Sequence, residues 1–199
     1  MNRLSHSVRC PWLFAPLLAC ALTIAAVIEI TTASAQPSRP VTQADLEAVY
    51  LYNFGKFVTW PAQQPPASAP FGICTLGNAE FRGALDALAT SETVQGRKIA
   101  VKHLTSIEAV DGCHILFLAR SEAAQLAKDL NAVRAKPILT VSDVSAFLDH
   151  GGMVQFVVQD KRVRFAVNLQ PALQAHLAVS SELLKVAIAV ESKPAEEGK

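Results

Sequence analysis

Charge of one sign is what this sequence lacks most plainly: 18 Lys and Arg stand against 17 Asp and Glu over 199 residues. No one-signed field is available to gather nucleic acid, so that class of partner is excluded. Glycine is scarce where phosphate chemistry would need it. There is no Gly-x-Gly-x-x-Gly, and Gly77 alone follows the first apolar strand; one glycine reads as a turn. A Gly-x-Ser-x-Gly elbow is also missing, which removes the usual serine-hydrolase signature. Ser180-Ser181 precedes a helical pattern, where serine is an ordinary cap. Asp143 and Asp149 read as cap and surface residues, not as an acid–base pair.

Histidine and cysteine are too sparse for a metal site. The closest approach to a ligand cluster is Asp111-x-Cys113-His114, at the start of a strand. No cofactor and no metal are expected. Only one apolar run is long. Trp12 to Ile28 follows Arg3 and Arg9 and precedes Ala33-Ser34-Ala35, the order of a positive region, a hydrophobic region and a small-x-small cleavage site. Residues 1–35 therefore read as a signal peptide cleaved after Ala35, with an uncleaved anchor as the alternative. Its removal leaves sixteen basic and sixteen acidic residues, and two cysteines, Cys74 and Cys113. In an oxidising compartment a lone pair is most simply a disulfide. Its loop spans 39 residues, from Cys74 to Cys113, and would contribute about 4 kcal/mol in the chain-entropy model. A catalytic cysteine is the competing reading. His114 is a poor base for it, because neighbours on a strand point to opposite faces.

What the chain does have is concentrated aromatic surface. Tyr50–Pro61, YLYNFGKFVTWP, carries five aromatic rings in twelve residues. Leu46, Val49, Tyr50, Phe54, Phe57 and Val58 recur at helical spacing, and Leu51 and Tyr52 fall outside that stripe. A helix apolar over most of its circumference must be covered on more than one side. Leu51 and Tyr52 are accordingly read as its exposed part and as candidate partner contacts. Thr42-x-x-Asp45 is a capping-box-like start. Residues 36–41 form a mobile lead, and AQQPPASAP after Trp60-Pro61 reads as a surface linker.

Strand and helix patterns then alternate. Phe71–Leu76 is a short strand, Phe81, Leu85 and Leu88 mark a helix, and Lys98–Leu104 is a half-buried strand. Cys113–Ala119, CHILFLA, reads as a central strand covered on both faces. A helix from Ser121 through Val133, with Leu126, Leu130 and Val133 inward, follows, then a strand at Pro137–Val141 and a short helix capped by Ser142-Asp143 and carrying Val144, Phe147 and Leu148. Gln159–Arg162 turns a hairpin between Met153–Val158 and Val163–Leu169. Pro171–Leu177 and Ser181–Val190 read as closing helices, and 191–199 as a disordered tail. The pattern predicts one α/β three-layer domain over 42–190. Its sheet should be mostly parallel with a C-terminal antiparallel hairpin, behind an aromatic N-terminal helix. Arg162 and Arg164 alternate with Val163 and Phe165 on that hairpin. They read as edge protection or, more sharply, as a contact surface.

Four stretches jointly resemble the YfiR-like periplasmic regulators: YLYNFGKFVTWP, ICTLGNAEF, CHILFLA with ILTVSDVSAFLDHGGMVQF, and VRFAVNLQPALQAHLAVSSELLKVA. The resemblance covers about residues 42–190. It implies an exported, non-enzymatic α/β domain that binds and represses the periplasmic sensory domain of an inner-membrane diguanylate cyclase, or of another membrane sensor. Cyclic-di-GMP output would then follow the state of the envelope. Cys74 and Cys113 match positions where such proteins carry a disulfide, and a second cysteine pair found in some relatives is absent. The oligomeric state is left open between monomer and homodimer. Leu51, Tyr52, Arg162, Arg164 and Phe165 are the candidate partner-binding residues. The different-class alternative is a periplasmic small-molecule receptor, with its crevice near Gly77–Asn78, Arg120–Ser121 and Ser142–Asp143 at the carboxyl ends of the strands.

Overall fold

The computed structural model describes residues 40–61 and 68–192. The expected signal peptide (1–35), most of the expected lead, the first six residues of the linker (62–67) and residues 193–199 lie outside the described residues. Helix α1 (Gln43–Phe57) opens on the capping box. Thr42 Oγ1 accepts from the Asp45 N–H, and the Asp45 carboxylate accepts from the Thr42 N–H at 2.9 Å. The helix stops at Phe57 because Val58 turns to extended backbone. Val58–Thr59 (β1) pairs antiparallel with Ala178–Val179.

After the linker come β2 (Phe71–Leu76), α2 (Arg82–Ser91), β3 (Thr93–Val94), β4 (Arg97–Leu104) and β5 (Ile115–Leu118). Then follow α3 (Leu126–Val133), β6 (Leu139–Ser142), β7 (Val154–Gln159), β8 (Arg162–Asn168), α4 (Leu169–Gln174), β9 (Ala178–Val179), α5 (Ser181–Val186) and β10 (Ala189–Glu191). The main sheet has the order β10-β8-β7-β6-β5-β2-β4-β3. Strands β4, β2, β5, β6 and β7 are mutually parallel, and β7–β8 is the antiparallel hairpin. Asp160 and Lys161 both have positive φ, 51° and 60°, which is what a two-residue hairpin turn matched to strand twist requires.

The pleat sends alternate residues to two cores. On one face Phe71, Ile73, Ile115, Phe117, Leu139, Val141, Phe156 and Phe165 pack with α1, α2, α4 and α5. On the other face Cys74, Leu76, Leu116 and Leu118 pack with α3 and with Phe147 and Leu148. Both faces of the parallel strands are therefore covered, giving the three-layer α/β arrangement.

Three local readings are corrected. Residues 143–150 form turns instead of a capped helix: Ala146 sits at φ 59°, and the loop bends to bury Phe147 and Leu148. The segment Arg120–Gln125 is a 3-10 turn, so the helix proper starts only at Leu126. The last helix ends at Val186. Ile188 N–H donates to Phe165 O at 2.9 Å, and Ala189–Glu191 joins the sheet parallel to β8. At that edge the ladder satisfies backbone groups that a longer helix would have taken.

Candidate functional site

The partner-contact residues read from the sequence separate into two groups. Leu51 is fully buried and Tyr52 is 8 % exposed, its hydroxyl donating to Glu92. The exposure expected of them is corrected: they form the inward face of α1, with Ala48, Phe54 and Gly55. A helix apolar on nearly every side does not declare its phase. The small residues do so, since a Cβ on Gly55 would meet Val94 at 3.0 Å, and Ala48 lies seven residues earlier on the same side. The exposed apolar residues of α1 are instead Leu46, Val49 and Phe57.

Phe165 is also buried, in edge-to-face contact with Phe54 at 5.1 Å. It holds the hairpin to α1 and offers nothing to a partner. Arg162 and Arg164 point the other way. Arg162 is exposed and Arg164 half-buried, and their cross-strand neighbours are Gln159 and Val157. Neither has an acidic partner among the described residues. This end of the hairpin is an open sheet face carrying two uncommitted guanidinium groups beside apolar area.

Cys74 and Cys113 are joined, with Cα atoms 5.8 Å apart. His114 lies on the opposite face, as the strand alternation requires. Its ring stacks on Phe71 at 4.4 Å and meets Trp60 edge-on. Nδ1 accepts the Gly72 N–H at 2.9 Å, and Nε2 is buried with no partner among the described residues. The backbones also run close here. A Cβ on Gly72 would lie 2.0 Å from Gly112 O, so only glycine fits. Among the described residues no group of three His, Cys, Asp or Glu is placed to hold a metal.

Burial, and secondarily the Arg97 charge, push the His114 pKa down to about 4. The unfolded chain binds this proton from about pH 6.5 downwards, while the folded chain resists it to about pH 4. The contribution of the neutral ring is thus complete above pH 6.5 and is lost as pH falls towards 4. The full difference is about 3 kcal/mol. Urea midpoints of the wild type and His114→Phe should therefore converge or cross as pH is lowered from 7 to 4. A constant difference across that window would refute this assignment.

A polar crevice lies at the opposite end of the strands. From β2 the chain leads through α2 to β4 on one side, and from β5 it leads through α3 to β6 on the other. Strands β2 and β5 are neighbours, so their carboxyl ends form a topological switch point, where ligands of open α/β sheets bind. A crevice of about 130 Å³ sits there, lined by Gln43, Glu47, Asn78, Glu80, Arg120 and Asp143 over a floor that includes Phe81 and Phe117. Its walls are pinned. Ser121 Oγ accepts the Asn78 N–H at 3.0 Å, and Arg82 donates to Gly77 O. Gly77, at φ 82°, passes so close to Ser121 that a Cβ would lie 2.4 Å from its Oγ.

Glu47 projects from the second turn of α1 into this crevice and is only 6 % exposed. Its Oε1 accepts from Gln43 Nε2 at 2.8 Å. Burial raises its pKa, and the Asp143 and Glu80 charges add to the rise against the Gln43 hydrogen bond. Asp143 is raised in the same way, again mainly by burial, although Arg120 Nε lies 3.0 Å from its Oδ2. Its Oδ1 is buried without a partner among the described residues. The strand-end rule located Asn78, Arg120 and Asp143 from sequence. Glu47 went unnoticed because it arrives from a separate helix; its one signal was a carboxylate on the phase of Ala48 and Leu51.

A family model described as YfiR/HmsC-like matches residues 44–188. No curated protein matches the sequence. Among solved structures, the chain is similar to a conserved domain protein from Vibrio cholerae O1 biovar El Tor strain N16961. The TM-score is 0.54 at 9 % identity, covering 76 % of this chain and 61 % of that one. This chain thus spans about three fifths of the length of that protein, and at such identity the likeness shows the fold alone.

Proposed function

This chain belongs to the YfiR/HmsC-like family, and from that premise we propose that it is an exported, periplasmic regulator acting by protein contact. It binds the periplasmic sensory domain of an inner-membrane signalling enzyme, a diguanylate cyclase, and holds that enzyme in its inactive state. The observation that carries the reading is the family match across 145 consecutive residues, 44 to 188. The disulfide agrees with an oxidising compartment, and no helix of the described residues is long and apolar enough to cross a membrane.

Repression of this kind requires differential affinity for two states of the partner; a hundredfold preference corresponds to about 2.7 kcal/mol. A few anchor residues suffice for that. The open hairpin face fits the task best, because Arg162 and Arg164 stand free beside Val157, and arginine next to apolar area is enriched at interfaces. The sensory domain should meet it with an acidic patch. The experiment is titration of the purified sensory domain with wild-type protein and with the Arg162→Glu/Arg164→Glu double variant. Charge reversal should weaken binding at least tenfold, about 1.4 kcal/mol, while leaving the melting temperature within a degree or two. Undiminished affinity would remove this face from the interface, and absence of any complex would overturn the reading itself.

A further inference from the structure

The margin of the sheet away from the β7–β8 hairpin is only partly closed. Strand β4 has β2 on one side and β3 on the other, but β3 reaches only Arg97 and Lys98. Among the described residues no strand lies beside 99–104 on that side. Strands β3 and β4 are joined by Gln95-Gly96, at φ 51° and 76°. In a two-residue turn of this kind the flanking pair, Val94 and Arg97, exchanges both of its backbone hydrogen bonds. The direction of the backbone groups alternates along a strand, so Ile99, Val101 and His103 aim their N–H and C=O groups outward as Arg97 does. No described backbone group outside the strand ladders bonds to any of these three. Nor does the His103 ring fold over the edge. It is held back by Thr75 Oγ1, 2.8 Å from Nδ1, and by the Asp86 carboxylate, 3.3 Å from Nε2.

The side chains along this edge are sorted by charge. Lys98, Ala100 and Lys102 share one face of β4, and Ile99 and Val101 share the other. Both lysines are exposed, and neither forms an ion pair with a described residue. Lys102 Nζ donates to Asp111 O at 2.8 Å, a neutral carbonyl, while the Asp111 carboxylate lies with Lys136 at 3.7 Å. We propose that the open edge of β4 docks an extended segment of a partner protein, in which acidic residues alternate with aliphatic ones, as an added strand beside 99–104. The outward backbone groups call for a strand. The two lysines call for carboxylates at alternate positions, and Ile99 and Val101 for the aliphatic set between them. Lysine on an edge is an ordinary guard against pairing, and here the guard selects. A second copy of β4 would bring two rows of lysine together, whereas an acidic strand replaces that repulsion with attraction. The edge lies across the sheet from Arg162 and Arg164, so it is a second contact surface and not part of the hairpin face.

The probe is an acetylated, amidated peptide of alternating Glu and Val, about seven residues long, enough to cover the open edge. Its controls are the same peptide with Lys for Glu, and a fully N-methylated version that keeps the charge but has no N–H to donate. Titration into the purified protein should give saturable binding of the Glu/Val peptide alone. Amide hydrogen exchange should slow at Val101 and His103, whose N–H groups face outward, and stay unchanged at Ala100 and Lys102, which already pair with β2. Lys98→Glu/Lys102→Glu should weaken binding of the Glu/Val peptide at least about tenfold and should gain binding of the Lys/Val peptide. That exchange of preference separates a lost contact from a lost fold. No saturation up to about 1 mM would overturn the proposal. So would equal affinity for the Lys/Val or the N-methylated peptide, unchanged exchange at Val101 and His103, or full affinity in the charge-reversed variant. A chain that binds a sensory domain and no acidic strand refutes this inference only, because the partner reading rests on the family and the hairpin.

Discussion

Opening the Cys74–Cys113 bridge is expected to remove about 4 kcal/mol of stability, the chain-entropy value for a loop of this length. The bond ties β2 to the segment entering β5, and the loop it closes contains α2, β3 and β4. Without it the unfolded chain gains the freedom of that whole loop, while the folded chain keeps its strand pairing. Both cysteines are buried, at 0 % and 6 % exposure, so a reductant must wait for local opening, and reduction should be slow under native conditions. The double variant Cys74→Ala/Cys113→Ala should lower the urea midpoint by the same free energy, plus a small packing loss. A domain of this size has about 5–15 kcal/mol in all, so the reduced protein should be marginal at body temperature. Partner binding should then fall with the folded fraction. A loss under about 1 kcal/mol would show that the reduced denatured state keeps its own structure. Unchanged partner binding by a reduced, folded protein would rule out redox control through this bond.

Phe54→Ala is expected to cost about 3–5 kcal/mol, the range for removing a buried ring. Phe54 is fully buried and is the hinge of the aromatic cluster. It meets Phe165 edge-to-face at 5.1 Å, Phe156 in parallel at 5.9 Å and Tyr50 at 6.2 Å. The deletion would therefore loosen α1 from the hairpin and open a void that neither strand can close. Phe57→Ala, one turn later and 40 % exposed, should cost about 1 kcal/mol or less. The contrast is diagnostic, because the helical stripe read from sequence turned both rings inward. Equal losses from urea denaturation of the two variants would favour that stripe over the observed phase.

Legibility from sequence followed the range of the forces involved. Thr42 and Asp45 cap a helix through atoms three residues apart, and FGICTL and CHILFLA are mostly apolar and buried along their whole length because both faces of their strands are covered. The hairpin declared itself through a polar turn between two apolar runs. Where two local solutions compete, tertiary contacts decided. Ala189 and Val190 could extend a helix, yet the free edge of β8 claims them. Val144 to Leu148 have helical spacing, but Ser142 Oγ accepts the Val144 N–H and the chain loops to seat Phe147. The phase of α1 was hidden because nearly every side of it is apolar. The candidate site divides in the same way. Its strand-end members follow from topology, while Glu47 joins them only because α1 lies across the switch point.

The proposed function has the protein work by contact and leave covalent bonds alone, and the most direct test measures both halves of that proposal together. Purified protein is added to the periplasmic side of membranes carrying the full-length diguanylate cyclase, and cyclic-di-GMP synthesis is followed against its concentration. The account predicts saturable inhibition with a fixed stoichiometry, weakened by Arg162→Glu/Arg164→Glu, and no consumption of any small molecule by the protein alone. Cyclase output that ignores the protein at saturating concentration would contradict it, as would turnover of a compound that a single polar substitution abolishes.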